Sequence, residues 1–361
     1  MELYQLIPEK KMTEKIRLGG HQLASSRFDD PKALVQGMGA VQAQDYAMAK
    51  WAVGIRLKTV SPEAVNGALD RGEILRTHVM RPTWHFVAGE DLRWMLKLSY
   101  KKVRSANESF DRGHDPDLTE SLFRRAHQAM RKVLEGGKSL TKQELCDALV
   151  TEKIPVDMSR RMARFTTRAE IEGVLCSGPD KEGKVTYALL DERVPAADEP
   201  DKKQSLIWLA ERYFRSHAPA TLRDFVWWSG LSVTEAREAV AWIGQDLAAE
   251  ERDGQTVYVH RDSDRSVSHQ GVCRLLPSYD EYLIGYKDRS AVLDRAFYPR
   301  AFNNWGIFSP VILYEGRVVG NWKKTTRKGQ AAVETSFFEA CDVSPRSLEE
   351  AKDSYLAFLK G

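Results

Sequence analysis

Cysteine is scarce in this chain of 361 residues. Cys146, Cys176, Cys273 and Cys341 are its only thiols, and they lie far apart. Such spacing is neither a disulfide framework nor a zinc pattern, and it fits a reducing cytosol. No apolar run approaches the roughly 20 residues that a membrane span requires, so no membrane partner is expected. The opening stretch MELYQLIPEKKMTEKIRL carries acidic residues and a proline but no apolar h-region, so no signal peptide is expected. A large excess of one charge is also missing. The formal net charge is +3, and any case for nucleic acid must rest on local patches. Several catalytic signatures fail as well. EGGKS at 135–139 resembles the end of a Walker A loop, but Lys132 stands where a glycine is required, which leaves a helix end. His78 and His85 are not spaced as zinc ligands on a helix turn, and no Gly-x-Ser-x-Gly elbow occurs. No metal site and no small-molecule cofactor are expected.

What is present is ordinary for a soluble globular protein, with 42% hydrophobic and 29% charged residues. The length suggests two to four domains. Residues 118–191 read helix, short helix, long helix, hairpin. The first helix, in TESLFRRAHQAMRKVLEGG, ends at Gly136 and Gly137. In SLTKQELCDALV, Thr141 and Glu144 stand at capping-box spacing. MSRRMARFTTRAEIEGVLCSG reads as a longer helix, and PDKEGKVTYALL as a hairpin with a Gly-bearing turn. Residues 204–260 repeat this order, ending in AEERDGQTVYVHRD with its Asp-Gly turn. Three helices followed by a β-hairpin is the winged-helix variant of the helix-turn-helix. Two in tandem favour DNA contact, although many winged helices serve only as protein-interaction scaffolds.

Residues 13–100 read as a less regular copy that includes the strand-like ILRTHVMRPTWHFV. Ser61 and Pro62 look like an N-cap and first helical residue. PAADEPDKK at 195–203 reads as a charged linker. After residue 271, CRLLPSYDEYLIGY, SPVILYEGRVVGNWKK and AAVETSFF are strand-like, and a final helix starts at Ser344 and Pro345. The expected fold is mainly α with β. It has winged helices at 1–114, 115–194 and 204–270, and a small β-rich, barrel-like domain at 271–361.

Two neutral amides, Gln42 and Gln44, flank Ala43 just before the amphipathic run DYAMAKWAVGIRL. Glutamine does not titrate, so it serves as neither general acid nor general base. Residues two apart diverge on a helix but share a side on an extended segment. The pair makes chemical sense on a strand or taut loop, where both amides can address one small target. Asp45 could be catalytic, but it stands where an N-cap is wanted, and capping is the favoured reading. Asp280 and Glu281 could orient water or a base, although capping and pairing are favoured for them too. Arg160, Arg164 and Arg168 recur on one helical face, and Lys323 and Lys324 cluster with Arg327 and Lys328 in NWKKTTRKG. Such rows suit phosphate oxygens, against the alternative of a solvated face.

VQAQD at 41–45, HVMRPTWHFV at 78–87, PSYDEYLIGYKDR at 277–289 and FSPVILYEGRVVGNWKK at 308–324 together resemble the AlkZ-type (YcaQ-related) winged-helix DNA glycosylases. The resemblance runs over residues 13–358. It implies three tandem winged helices and a C-terminal barrel-like domain around a DNA channel. It further implies monofunctional glycosylase activity on N-alkylated purines, in some members within interstrand crosslinks. The family signature is a glutamine, an aliphatic residue and a second glutamine, which falls on Gln42, Ala43 and Gln44. Thr83, Trp84 and His85 fall on a supporting strand, with Asp45 beside the pair. The expected partner is double-stranded DNA bearing alkylated purines, touched by Arg81, Arg160, Arg164, Arg168, Lys323 and Lys324. The protein is expected to be a cytoplasmic monomer that joins the nucleoid when bound to DNA. The alternative is a DNA-binding regulator or architectural protein without chemistry.

Overall fold

Helix starts sit where the sequence supplies an oxygen to meet unsatisfied amides. In the computed structural model, which describes residues 9–360 except 197, 253 and 328, Asp30 caps helix Pro31–Met38 and Asp45 caps helix Tyr46–Gly54. Thr141, Thr221 and Ser232 each close a capping box, with Glu144, Asp224 and Glu235, and Ser344 caps helix Pro345–Phe358. Helix outweighs strand, 47% to 19%, which makes the fold mainly α with small antiparallel sheets.

The chain forms two compact units. Among the described residues, those up to Val65 fold with those from Leu206 onward, and Asn66–Ser205 form the second unit. The first sequence region, 1–114, is therefore parted between the two.

In the second unit, helices Glu120–Leu134, Lys142–Thr151 and Arg161–Ile171 precede strands Leu175–Ser177 and Thr186–Leu189. Strand Thr186–Leu189 pairs on its other side with Leu140–Thr141, between the first two helices. Phe123, Met130, Leu145, Leu149 and Phe165 fill the core beneath. The third helix is shorter than its sequence suggests. It stops at Ile171 because Gly173 takes a φ of +68°, and Leu175–Ser177 then becomes a strand. Residues 74–88 also depart from expectation. They form a hairpin, Ile74–Val79 with Thr83–Ala88, rather than one strand. Met80 at φ +61° reverses the chain, and Pro82 has no N–H to give to a ladder.

In the first unit, helices Lys202–His217, Leu222–Ser229 and Val233–Trp242 lead into hairpin Leu247–Arg252 with Gln255–His260. Residues 273–337 supply an antiparallel sheet in the order Gln330–Phe337, Arg317–Arg327, Val311–Tyr314, Cys273–Leu276. The expected barrel does not form, because the two outer strands never pair. The outer edge at Cys273–Leu276 is covered instead, with Trp51 Nε1 donating to the Leu275 carbonyl at 2.7 Å. The stretch read as a strand after Leu276 is a helical turn, Glu281–Ile284, capped by Asp280. Trp51 also packs edge-on against Tyr355 of the final helix. A Cβ on Gly54 would lie 2.5 Å from Phe358, so glycine permits this close approach.

Under helix Lys202–His217 lies a buried polar cluster. His21 Nε2 meets Tyr286 Oη at 2.9 Å, and that hydroxyl donates to the His217 carbonyl at 2.8 Å. Desolvation lowers the pKa of both His21 and His217 below the usual 6.5. As pH falls through 6.5 the unfolded chain takes up protons that these imidazoles refuse, so folded stability falls. Denaturant unfolding at pH 7 and pH 5 should show this loss, up to about 1.4 kcal/mol per pH unit per histidine. A His21→Gln variant should lose less on acidification than the wild type.

Candidate active site

Val41–Gln42 is a two-residue strand, Ala43 is irregular, and Gln44 and Asp45 bend into helix Tyr46–Gly54. The glutamine run is thus outside any helix. Asp45 does what a cap does, accepting from Met48 N at 3.1 Å. Ala43 is fully buried, Gln42 is 5% exposed and Gln44 is exposed. The two residues therefore differ in environment, one enclosed and one exposed.

Glu281 fixes the main chain at this point, a role that sequence reading did not assign. Its Oε1 accepts the Gln42 N–H at 2.7 Å, and its Oε2 accepts Trp228 Nε1–H at 2.9 Å. The carboxylate is fully buried and is held by these donors. His217 Nε2 lies 3.5 Å from the same oxygen, but desolvation lowers its pKa and favours the neutral ring. Asp280, next door, makes a bidentate pair with buried Arg56 at 2.9 and 2.6 Å. The acidic pair in SYDEY therefore caps, pairs and anchors. The only legible signal was two adjacent carboxylates inside an otherwise apolar string.

Four further candidates belong to the second unit. Thr83, Trp84 and His85 begin the second strand of the 74–88 hairpin, and Arg81, half-buried, sits in its turn. Trp84 stands opposite His78 and lies beneath the Arg76 guanidinium, 4.4 Å from its ring centre. His78 is bonded to buried Glu170, which makes it a structural residue rather than a metal ligand. His85 is fully buried, and its Nδ1 lies 3.0 Å from the Thr83 carbonyl. This matches a ring that satisfies a local hydrogen bond.

The arginine row requires correction. Arg168 is 2% exposed and meets Glu120 at 2.6 Å, Glu172 at 2.5 Å and Glu108 at 3.4 Å, so it cannot reach a phosphate. Arg164 is bonded to Asp111 and, at 2.7 Å, to the Asn107 side chain. Both partners lie on helix Leu92–His114, which packs along that face. Desolvation opposes the charge on Glu172, but His127 and Arg168 outweigh it and hold its carboxyl at about 2. Arg160 lies at the helix start rather than within it and is exposed, donating to the His114 carbonyl at 3.0 Å. Lys323 and Lys324 are exposed beyond Trp322, where strand Arg317–Arg327 pairs only with Gln330–Phe337. Lys323 meets Glu334 across the hairpin at 3.0 Å, a surface pair too weak to withhold it from a phosphate. Lys328 lies outside the described residues, as does the side chain of Arg327. Among the described residues no cluster of metal-binding side chains occurs and no helix is long and apolar enough to cross a membrane.

The model of the AlkZ-like DNA glycosylase family matches residues 35–358. An interstrand DNA cross-link repair glycosylase of Streptomyces sahachiroi is 27% identical over 301 residues, spanning 78% of this chain and 79% of that protein. The solved structure of Streptomyces sahachiroi DNA glycosylase AlkZ shares the fold, with a TM-score of 0.77 at 22% identity, covering 97% of this chain and 95% of that one. These matches define an enzyme, a hydrolase acting on N-glycosyl bonds in DNA. More narrowly, the chain belongs to the AlkZ-like DNA glycosylase family. The alternative of a regulator without chemistry is set aside.

Two substitutions separate structural from contact roles. Arg168→Ala should cost on the order of 2 kcal/mol in urea unfolding, because it strands partly exposed carboxylates. The salt dependence of its DNA affinity should match that of the wild type, since no phosphate contact is removed. Glu281→Gln turns an amide N–H₂ toward one of two N–H donors, and should destabilise the fold by about 1–3 kcal/mol in the same assay.

Proposed function

We propose that this glycosylase hydrolyses the N-glycosidic bond of purines alkylated at N7 or N3, by a monofunctional route centred on Gln42 and Gln44. A purine alkylated at these positions already carries positive charge and departs as a neutral base. Leaving-group protonation is then unnecessary, and an acid-free site suffices. What remains is an oxocarbenium-like sugar and an attacking water. An amide oxygen accepts a hydrogen bond from the water, and carbonyl dipoles face the developing cation. In this reading Gln44, which is exposed, positions the water. Gln42, whose main chain is tied to Glu281, stabilises the sugar and helps hold the water.

The observation that carries this reading is the non-helical run from Val41 to Gln44, which ends at the Asp45 cap. Charge selects the substrate, and unmodified purines, which need protonation, are spared. Because selection rests on charge, a deep base-flipping pocket is optional, which suits bulky or crosslinked lesions. The Streptomyces sahachiroi relative is named for interstrand cross-link repair, and we extend unhooking of such lesions to this chain. Thr83, Trp84 and His85 are proposed as support for the site. Arg81, Arg160, Lys323 and Lys324 are proposed as contacts to duplex phosphates, with the protein acting as a monomer. The helix and strand order of residues 115–194 and 204–270 supports two winged helices, and we retain a third in the first region.

Release of N7-methylguanine from methylated duplex DNA, read by mass spectrometry, tests this assignment. Gln44→Ala should slow single-turnover release about 100-fold, the scale of losing one preorganised polar group at a developing charge. Duplex affinity should stay within about twofold. Undiminished release by that variant removes Gln44 from the chemistry.

A further inference from the structure

The Cys273–Leu276 edge of the four-stranded sheet, which pairs with no further strand, borders a cavity that the glycosidic chemistry does not use. Its volume is about 220 Å³. Trp51, Ile55 and Leu57 supply apolar wall, whereas Arg274, Ser347 and Ser354 supply donors. Glu350 and Lys58 also reach the lining, each in a surface pair, with Arg346 at 2.8 Å and Asp29 at 2.7 Å, so the lining carries one charge of each sign beside Arg274.

Arg274 is the unusual member. It is half-buried, and its one hydrogen bond among the described residues runs from Nη1 to the neighbouring Cys273 carbonyl at 2.9 Å. No described carboxylate pairs with it, in contrast to Arg56 and Arg168. A guanidinium has five N–H donors, so most of this capacity is unspent. Desolvation lowers its pKa below the ordinary arginine value, the mark of a cation in want of a counter-charge.

The sheet register adds further donors. Glu315 N donates to the Val272 carbonyl at 2.8 Å, and Arg274 stands opposite Leu313. Hydrogen-bonded and non-bonded pairs alternate in an antiparallel ladder, so Cys273 and Leu275 turn their backbone groups to the outer edge of the sheet. Their carbonyls are taken by Arg274 and Trp51. Their N–H groups face the same edge that the cavity borders.

We propose that this cavity binds a phosphate group, with the Arg274 guanidinium as its chief ligand and the Ser347 and Ser354 hydroxyls and edge amides in support. Arginine matches phosphate oxygens in a bidentate fork. The apolar wall suits a small organic group attached to that phosphate. Either a small phosphate monoester or the terminal phosphate of a DNA strand presents this chemistry.

Calorimetric titration of the full chain with inorganic phosphate and with phenyl phosphate tests the site. Saturable binding is expected, tighter for phenyl phosphate, and about 10- to 100-fold weaker in Arg274→Gln, the scale of a hydrogen bond between charged groups. Ser354→Leu, at a half-buried helix position in the cavity wall, should obstruct the cavity and abolish binding while the helix stays intact, read as an unchanged far-UV circular dichroism spectrum. It keeps the test valid if Arg274→Gln folds poorly. Displacement of phenyl phosphate by a 5′-phosphorylated oligonucleotide, but not by its unphosphorylated twin, identifies a DNA end as the source. Displacement by neither, with phenyl phosphate still bound, identifies a small monoester. Absence of saturable binding by both phosphates, or equal binding in the two variants and the wild type, overturns the proposal.

Discussion

A single buried carboxylate ties together distant parts of the first unit around the proposed glutamine site. Glu281 accepts from the main chain of Gln42 and from the indole of Trp228, residues that lie far from it and from each other in sequence. A carboxylate without solvent is costly unless donors surround it, so once the core closes this one can be satisfied only in one arrangement. That arrangement sets where the glutamine run starts. The far end of the same run is set by the Asp45 cap, and the helix beyond it by Trp51, locked between the sheet edge and the final helix. The main chain of Gln42 and Gln44 thus lies between two fixed points.

The second unit uses charge differently. Arg164 and Arg168 satisfy carboxylates on neighbouring segments rather than reaching for a ligand. Positive charge left at the surface resides instead on side chains such as Arg160, Lys323 and Lys324, distributed over both units. This agrees with the small net charge of +3: the protein has little surplus cation, and the location of each one counts.

Much of this was legible from residues alone. The capping box at Thr141 marked a helix start, and Asp45 marked another, because the donors and acceptors involved are local. The repeated helix-helix-helix-hairpin order was legible for the same reason. Local signals misled where the chain changes direction without a glycine. Residues 78–87 read as one strand, since Met80 rarely takes a positive φ, yet it does so here and Pro82 follows. The barrel was overread, because strand count and turn chemistry do not say whether the outer strands meet. The arginine row was overread for a related reason. Four-residue spacing shows that side chains share a face, but not whether that face looks at water or at another helix.

By itself the sequence determined most of the helices and hairpins, where many of them begin, and that two amides rather than acids hold the place where chemistry is expected. Those properties depend on neighbours within a few residues, whose geometry the backbone dictates. Only the tertiary structure decided that Glu281 anchors Gln42, that Arg168 is buried among carboxylates, and that Arg274 lines a cavity without one. Each of these depends on which distant groups arrive at the same place when water is excluded, and burial rather than residue type then decides whether a charge is a strut or a ligand.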